Sequence, residues 1–121
     1  MEKKLEELNG FKNLRIVDNF YQTSSFFPMP TTEIGTLSES GQTNLGSYSL
    51  CFPYYIAGKD YYAMLLCCRN SSNTAKNILR TGKCSINFIT DKRKYFKEAV
   101  RLGYPGETTE EKMKDCIFTL V

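Results

Sequence analysis

From residue 31 onward, apolar and polar positions fall into short runs separated by turn chemistry. Thr31 to Leu37 reads as a strand with Ile34 and Leu37 as its apolar points, and Ser38-Glu39-Ser40-Gly41 then supplies a turn. Thr43 to Phe52 should return antiparallel as a hairpin partner and end at Pro53. Gly58-Lys59-Asp60 is the next turn. Tyr61 to Cys68 is apolar on both faces, the pattern of a strand buried between layers. The period then changes. Ser72 or Asn73 can cap a helix in which Ala75, Ile78 and Leu79 share one face, Lys76, Asn77 and Arg80 take the other, and Gly82 stands at the left-handed stop.

Cys84 to Phe88 alternates and predicts a half-buried strand. Asp91 is expected to start a second helix. Its apolar stripe would be Tyr95, Phe96, Ala99 and Leu102, its wet side Lys92, Arg93, Lys94 and Lys97, and its stop Gly103. Tyr104-Pro105-Gly106 is a turn, Thr108 and Glu111 have capping-box spacing, and Cys116 to Val121 reads as a final strand. No internal repeat and no low-complexity segment interrupts this order.

The first thirty residues are organised differently. Residues 2–9 can form a short charged helix ended by Asn9-Gly10, and Phe11 to Phe27 has no clean period. Pro28-Met29-Pro30 breaks the chain. We therefore read residues 1–30 as an N-terminal extension and residues 31–121 as the ordered domain. With 121 residues the chain has the length of one small domain. Only 41% of residues are hydrophobic, so the core is modest, and eight Tyr with eight Phe supply large apolar faces.

Charge and cysteine content narrow the function classes. A net charge of +3, without a basic stripe, argues against nucleic acid. No apolar run approaches the roughly 20 residues that span a bilayer, which argues against a membrane span. The amphipathic N-terminus lacks a secretory segment, so a cytoplasmic setting is expected. Five cysteines in no repeated spacing make a poor disulfide framework and read instead as small core residues. With no histidine and no Cys-x-x-Cys, no metal site is expected.

Two segments carry candidate chemistry. Asn44-Leu45-Gly46-Ser47-Tyr48-Ser49-Leu50 sets hydroxyl and amide groups along a strand. Arg69-Asn70-Ser71-Ser72-Asn73-Thr74 is a hydroxyl-rich turn that opens a helix, and helix N-termini hold anions well. Each also has a plainer explanation. The first can be a half-exposed strand with ordinary cross-strand pairs, and the second a well-capped helix with a solvated arginine. Lys76 and Arg80 read as surface charges, and Tyr54, Tyr55, Tyr61 and Tyr62 as core or interface packing.

The order of these segments resembles the flavin reductase-like family: hairpin, Asn-x-x-Ser-x-Ser strand, buried strand, Arg-Asn-x-x-Asn-Thr turn, helix ending Thr81-Gly82, alternating strand. The resemblance spans residues 31–121, about the first two-thirds of such a domain. It implies an antiparallel split β-barrel of FMN-binding type, mainly β with short helices (α+β). It implies FMN, or FAD, held by Asn44, Ser47, Tyr48, Ser49 and Leu50 along ring and ribityl chain and by Arg69, Asn70, Ser71, Ser72, Asn73 and Thr74 at the phosphate. It also implies NAD(P)H as electron donor, a small-molecule or protein acceptor, a homodimer, and no catalytic side chain, since the flavin carries the chemistry. Family members continue past the position of Val121, so the barrel is expected to be completed by further chain or by another subunit. The alternative is a non-catalytic flavin-binding or dimerisation module.

Overall fold

The computed structural model describes residues 29–55 and 62–120. Five strands and three helices follow one another: β1 (Thr32–Leu37), β2 (Thr43–Tyr48), β3 (Cys51–Tyr55), β4 (Tyr62–Leu66), α1 (Asn73–Thr81), β5 (Ser85–Phe88), α2 (Arg93–Gly103) and α3 (Thr109–Met113). The architecture is α+β with antiparallel sheets. One sheet has the order β2-β1-β5, and among the described residues β3 pairs only with β4. The expected helix over residues 2–9, the irregular segment over 11–27 and the turn at Gly58 lie outside the described residues, as do the side chains of the tyrosine patch.

β1 and β2 form the expected hairpin. Gly41, at φ 81°, takes the left-handed position of its turn, where a side chain would be strained. β1 is the centre of its sheet, and Thr32 through Thr36 are all buried. Alternation divides these residues between two covered faces. Glu33 and Gly35 lie level with Ser47 and Leu45 on β2; Thr32, Ile34 and Thr36 lie level with Tyr48, Gly46 and Asn44. α2 and α3 cover the first face, where Leu45, Leu102 and Met113 form a small apolar core with Cys116 and Phe118 against it. α1 covers the second.

That second interface is polar, which corrects the expected helix face. Thr74, Ala75 and Asn77 are buried, while Leu79 is 83% exposed. The sheet surface beneath α1 carries Thr36 and Asn44, so the side chains that match it are hydrogen-bonding ones. Asn77 Nδ2 donates to Thr36 Oγ1 at 3.1 Å, and Asn44 Nδ2 donates to Thr36 Oγ1 at 3.3 Å and to Thr74 Oγ1 at 3.4 Å. Periodicity places residues around a helix but does not say which side meets a polar sheet.

Four other expectations change. The return strand is not continuous to Phe52. Ser49 and Leu50 hand the chain from one sheet to the other, and Pro53 sits inside β3. A proline is tolerated there because β3 is an edge strand of a two-stranded ribbon. β4 is not buried between layers. Met64 and Leu65, neighbours that point to opposite faces, are 40% and 37% exposed, since among the described residues β3 alone pairs with this strand. Of the cysteines only Cys51 is buried, and Cys67 and Cys84 are exposed just outside the strands. Finally, residues 116–120 form no strand. The Ile117 N–H donates to Glu98 Oε1 at 3.3 Å, and Phe118 stacks on Tyr95 with centroids 5.4 Å apart, so this segment packs as irregular chain.

The helix ends have local causes. Ser72 is the N-cap of α1 and Gly82, at φ 68°, its left-handed stop, as the pattern predicts. α2 begins at Arg93 with Lys92 as N-cap and no side-chain cap, so Asp91 does not serve. It ends because Pro105 keeps Tyr104 out of the helical region, at φ −69° and ψ 138°, and Gly103 is its last residue. The expected stripe is partly right, since Ala99 and Leu102 are buried while Phe96 is 45% exposed and Glu98 is buried. The alternation over 84–88 is weaker than expected: Ile86 is half-buried, with Cys84 and Phe88 exposed. Thr108 and Glu111 form the predicted capping box. Among the described residues no helix is long and apolar enough to cross a membrane.

Candidate functional site

The end of β2 and the turn before α1 converge on one open cleft of about 920 Å³. Its size lies within the range of small-molecule sites, roughly 300–1,000 Å³. Ser47, Tyr48, Ser49 and Leu50 form one wall, and Arg69, Ser71, Ser72, Asn73 and Thr74 form the next. Gly103 through Thr108 and Lys112 close the third side. Lys76 also stands on the rim, whereas Arg80 does not and instead donates to the Leu37 carbonyl.

Two of the eleven candidate residues do not line the cleft. Asn44 is fully buried, and both ends of its amide are used: Nδ2 donates to Thr36 and Thr74, and Oδ1 accepts from Thr109 Oγ1 at 3.2 Å. It joins β1, α1 and α3 at the edge of the sheet, so its part in the site is to hold Thr74. Asn70 is exposed in the turn, outside the cleft wall. The remaining nine come together, although residues 51–68 separate the two segments in sequence.

The α1 end of the cleft has the makings of an anion site. Ser72 Oγ accepts from the Ala75 N–H at 3.0 Å, which satisfies one of the free amides of the first turn. Asn73 Nδ2 donates to the Glu107 carbonyl at 2.9 Å and ties this turn to the opposite loop. Arg69 and Ser71 are exposed on the wall. The plainer reading of this turn, a capped helix, is therefore true of Ser72, while Arg69 and Ser71 keep their donors available to the cleft.

At the other end lies a group of charges that the sequence did not single out. Glu33, on β1, is 2% exposed, and burial pushes its carboxyl up to about 7. Ser47 Oγ lies 2.5 Å from Glu33 Oε1 and 2.5 Å from the Ala99 carbonyl oxygen. A hydroxyl has one proton and cannot donate to both. The contacts close if Glu33 is the neutral acid, donating to Ser47 Oγ while Ser47 donates to Ala99. Glu33 Oε2 is buried with no partner among the described residues, which suits a carboxylic acid better than a carboxylate.

Lys112, on α3, is 7% exposed and lines the cleft, whereas Glu33 lies behind Ser47 and does not line it. Burial pulls its ammonium down, while Glu33 and Glu107 oppose that change and Arg101 adds to it. Glu98 and Arg101 are taken up with each other. Arg101 Nε and Nη2 donate to the two Glu98 carboxylate oxygens at 3.0 and 2.6 Å, holding that carboxyl below the usual range. Arg101 Nη1 also donates to the Lys112 carbonyl at 2.9 Å and so fixes the start of the α3 exit. Sequence reading missed Glu33 because nothing marks one acidic residue in a short strand as central, and missed Lys112 because Glu-Glu-Lys-Met-Lys looks like a solvated helix.

Comparison with family models, curated proteins and solved structures finds no match for this chain. Among the described residues no group of three His, Cys, Asp or Glu side chains could hold a metal ion.

Proposed function

We propose that this chain binds FMN in the cleft between the β2 end and the α1 N-terminus and acts as a flavin reductase-type oxidoreductase. The observation that carries this reading is the convergence of the serine-bearing strand and the Arg69–Thr74 turn on one cleft of flavin size. The residues present fit the group. Arg69, Ser71 and the first-turn amides of α1 would take the phosphate. Ser49, Tyr48 and Leu50 would line the ring and ribityl chain, with polar groups set in a partly apolar wall. Asn44 and Thr109 would keep Thr74 in place from behind.

When bound, the flavin would accept a hydride from NAD(P)H and deliver electrons to a small-molecule or protein acceptor. The chain's own work is then to hold, orient and shield it. The same proposal includes a cytoplasmic setting, residues 1–30 as an extension to the domain, and a homodimer that completes the split barrel. The exposed β3–β4 ribbon, with Leu50, Met64 and Leu65 uncovered, gives the dimer its support. The alternative, a flavin-holding module without turnover, draws on the same two separate sheets, which do not close into a barrel among the described residues.

Purified protein should be yellow or take up added FMN, and should oxidise NADH or NADPH with flavin present. Flavin uptake without turnover would favour the holding module, and no uptake would refute both. Within the site, Arg69→Gln should weaken FMN by about 10- to 100-fold, the worth of a charged hydrogen bond, and leave riboflavin nearly unchanged. Equal losses for the two ligands, measured by fluorescence quenching, would remove Arg69 from the phosphate.

A further inference from the structure

We infer that Lys112 is the counter-charge for the ring edge of the bound flavin, the edge that gains negative charge on reduction. This rests on the flavin reading above and adds a residue that neither motif contains. Lys112 is more than nine-tenths buried, lines the cleft, and makes no hydrogen bond or close ion pair through its ammonium among the described residues.

Most of the Lys112 side chain is buried, but its ammonium is not among the enclosed unpartnered atoms and opens on the cleft it lines. A ligand that covers it there removes its water and must supply the missing charge. The nearby acids do not supply it. Glu33, on β1, has Ser47 Oγ within hydrogen-bond distance, makes no ion pair with Lys112 among the described residues, and burial favours its neutral form. Glu98, on α2, is held by two hydrogen bonds from Arg101. Glu107, in the loop before α3, is exposed at the rim and makes no ion pair among the described residues.

Position decides which part of the ligand meets Lys112. The phosphate belongs at the α1 N-terminus with Arg69 and Ser71. Ser47 Oγ lies 2.5 Å from the Ala99 carbonyl oxygen and Arg101 donates to the Lys112 carbonyl at 2.9 Å, so the same stretch of α2 holds both residues and Lys112 stands on the Ser47 side of the cleft, where the ring wall is. A positive charge there favours the reduced over the oxidised ring and is one of the means by which a protein tunes a flavin.

The test compares wild type, Lys112→Met and Lys112→Arg as full-length chains. Without ligand, Lys112→Met should melt at or above the wild-type temperature, because it removes an uncompensated charge and keeps the side-chain length. With FMN, the preference for reduced over oxidised flavin should fall about tenfold in Lys112→Met, a potential lower by about 30 mV for two electrons. Lys112→Arg should keep the wild-type preference. A lower melting temperature for ligand-free Lys112→Met would overturn the inference, since the charge would then already be balanced within the fold. An unchanged preference in Lys112→Met would overturn it while leaving FMN binding intact. Failure of wild type to bind FMN would overturn this and the flavin reading together.

Discussion

Glu33→Gln should stabilise the protein at pH 8 by up to about 3 kcal/mol and leave it nearly unchanged at pH 4. The folded chain holds the Glu33 proton up to about pH 7, against an ordinary value of 4.5. At about 1.4 kcal/mol per pH unit, that gap sets the size of the effect. The sign follows from proton counts. Between 4.5 and 7 the folded state binds more protons than the unfolded state, so stability falls as pH rises through that window. The contribution is fully present below 4.5 and is lost once Glu33 must ionise in the fold. Glutamine keeps the donor that Ser47 Oγ accepts and cannot ionise. Glu98 works in the opposite direction, since its lowered carboxyl contributes stability that disappears in acid, so the quantity to measure is the difference between wild type and Glu33→Gln. Urea unfolding at pH 4 and pH 8 would give it. Parallel pH profiles for the two proteins would show that Glu33 ionises normally and that the Ser47 proton assignment is wrong.

Gly46→Ala should cost about 1–3 kcal/mol, the usual penalty for overpacking, and should also weaken FMN. A Cβ at position 46 would lie 2.7 Å from Thr74 Oγ1 and 2.9 Å from the Tyr48 ring. The tyrosine ring can swing away. Thr74 cannot move as freely, because it is 2% exposed and bonded to Asn44. Both neighbours line the cleft, so the displacement reaches the ligand. Gly103→Ala is the control. Its Cβ would meet Ser47 Cβ at an ordinary 3.6 Å and should change stability by less than about 1 kcal/mol. Thermal melts together with FMN titrations would check both. Equal behaviour of the two variants would mean that β2 and α1 are not in close contact at this point.

Local chemistry carried the fold a long way. The Ser38–Gly41 turn, the Ser72 cap, the Gly82 stop and the Thr108–Glu111 capping box are all interactions among residues a few positions apart, and all are where the pattern predicts them. The candidate segments were visible for the same reason, since hydroxyls before a helix and serines on a strand are local composition. Burial was harder to read. Leu79 and Met64 look like core in sequence and are exposed, while Asn44, Asn77, Glu98 and Lys112 look like surface and are buried. Which face of an element is covered depends on what packs there, and that partner lies far along the chain.

The amino-acid sequence by itself settled the first hairpin, the Ser72 and Thr108 caps, the Gly82 stop and the two polar segments, because each depends on backbone geometry and near neighbours. Tertiary structure decided that those segments share a cleft, that Asn44 braces it from within, that Lys112 lines it, and that Glu33 lies behind Ser47 with no ion pair among the described residues. Those outcomes depend on burial and on long-range electrostatics, which exist only once β1, α2 and α3 are packed against one another.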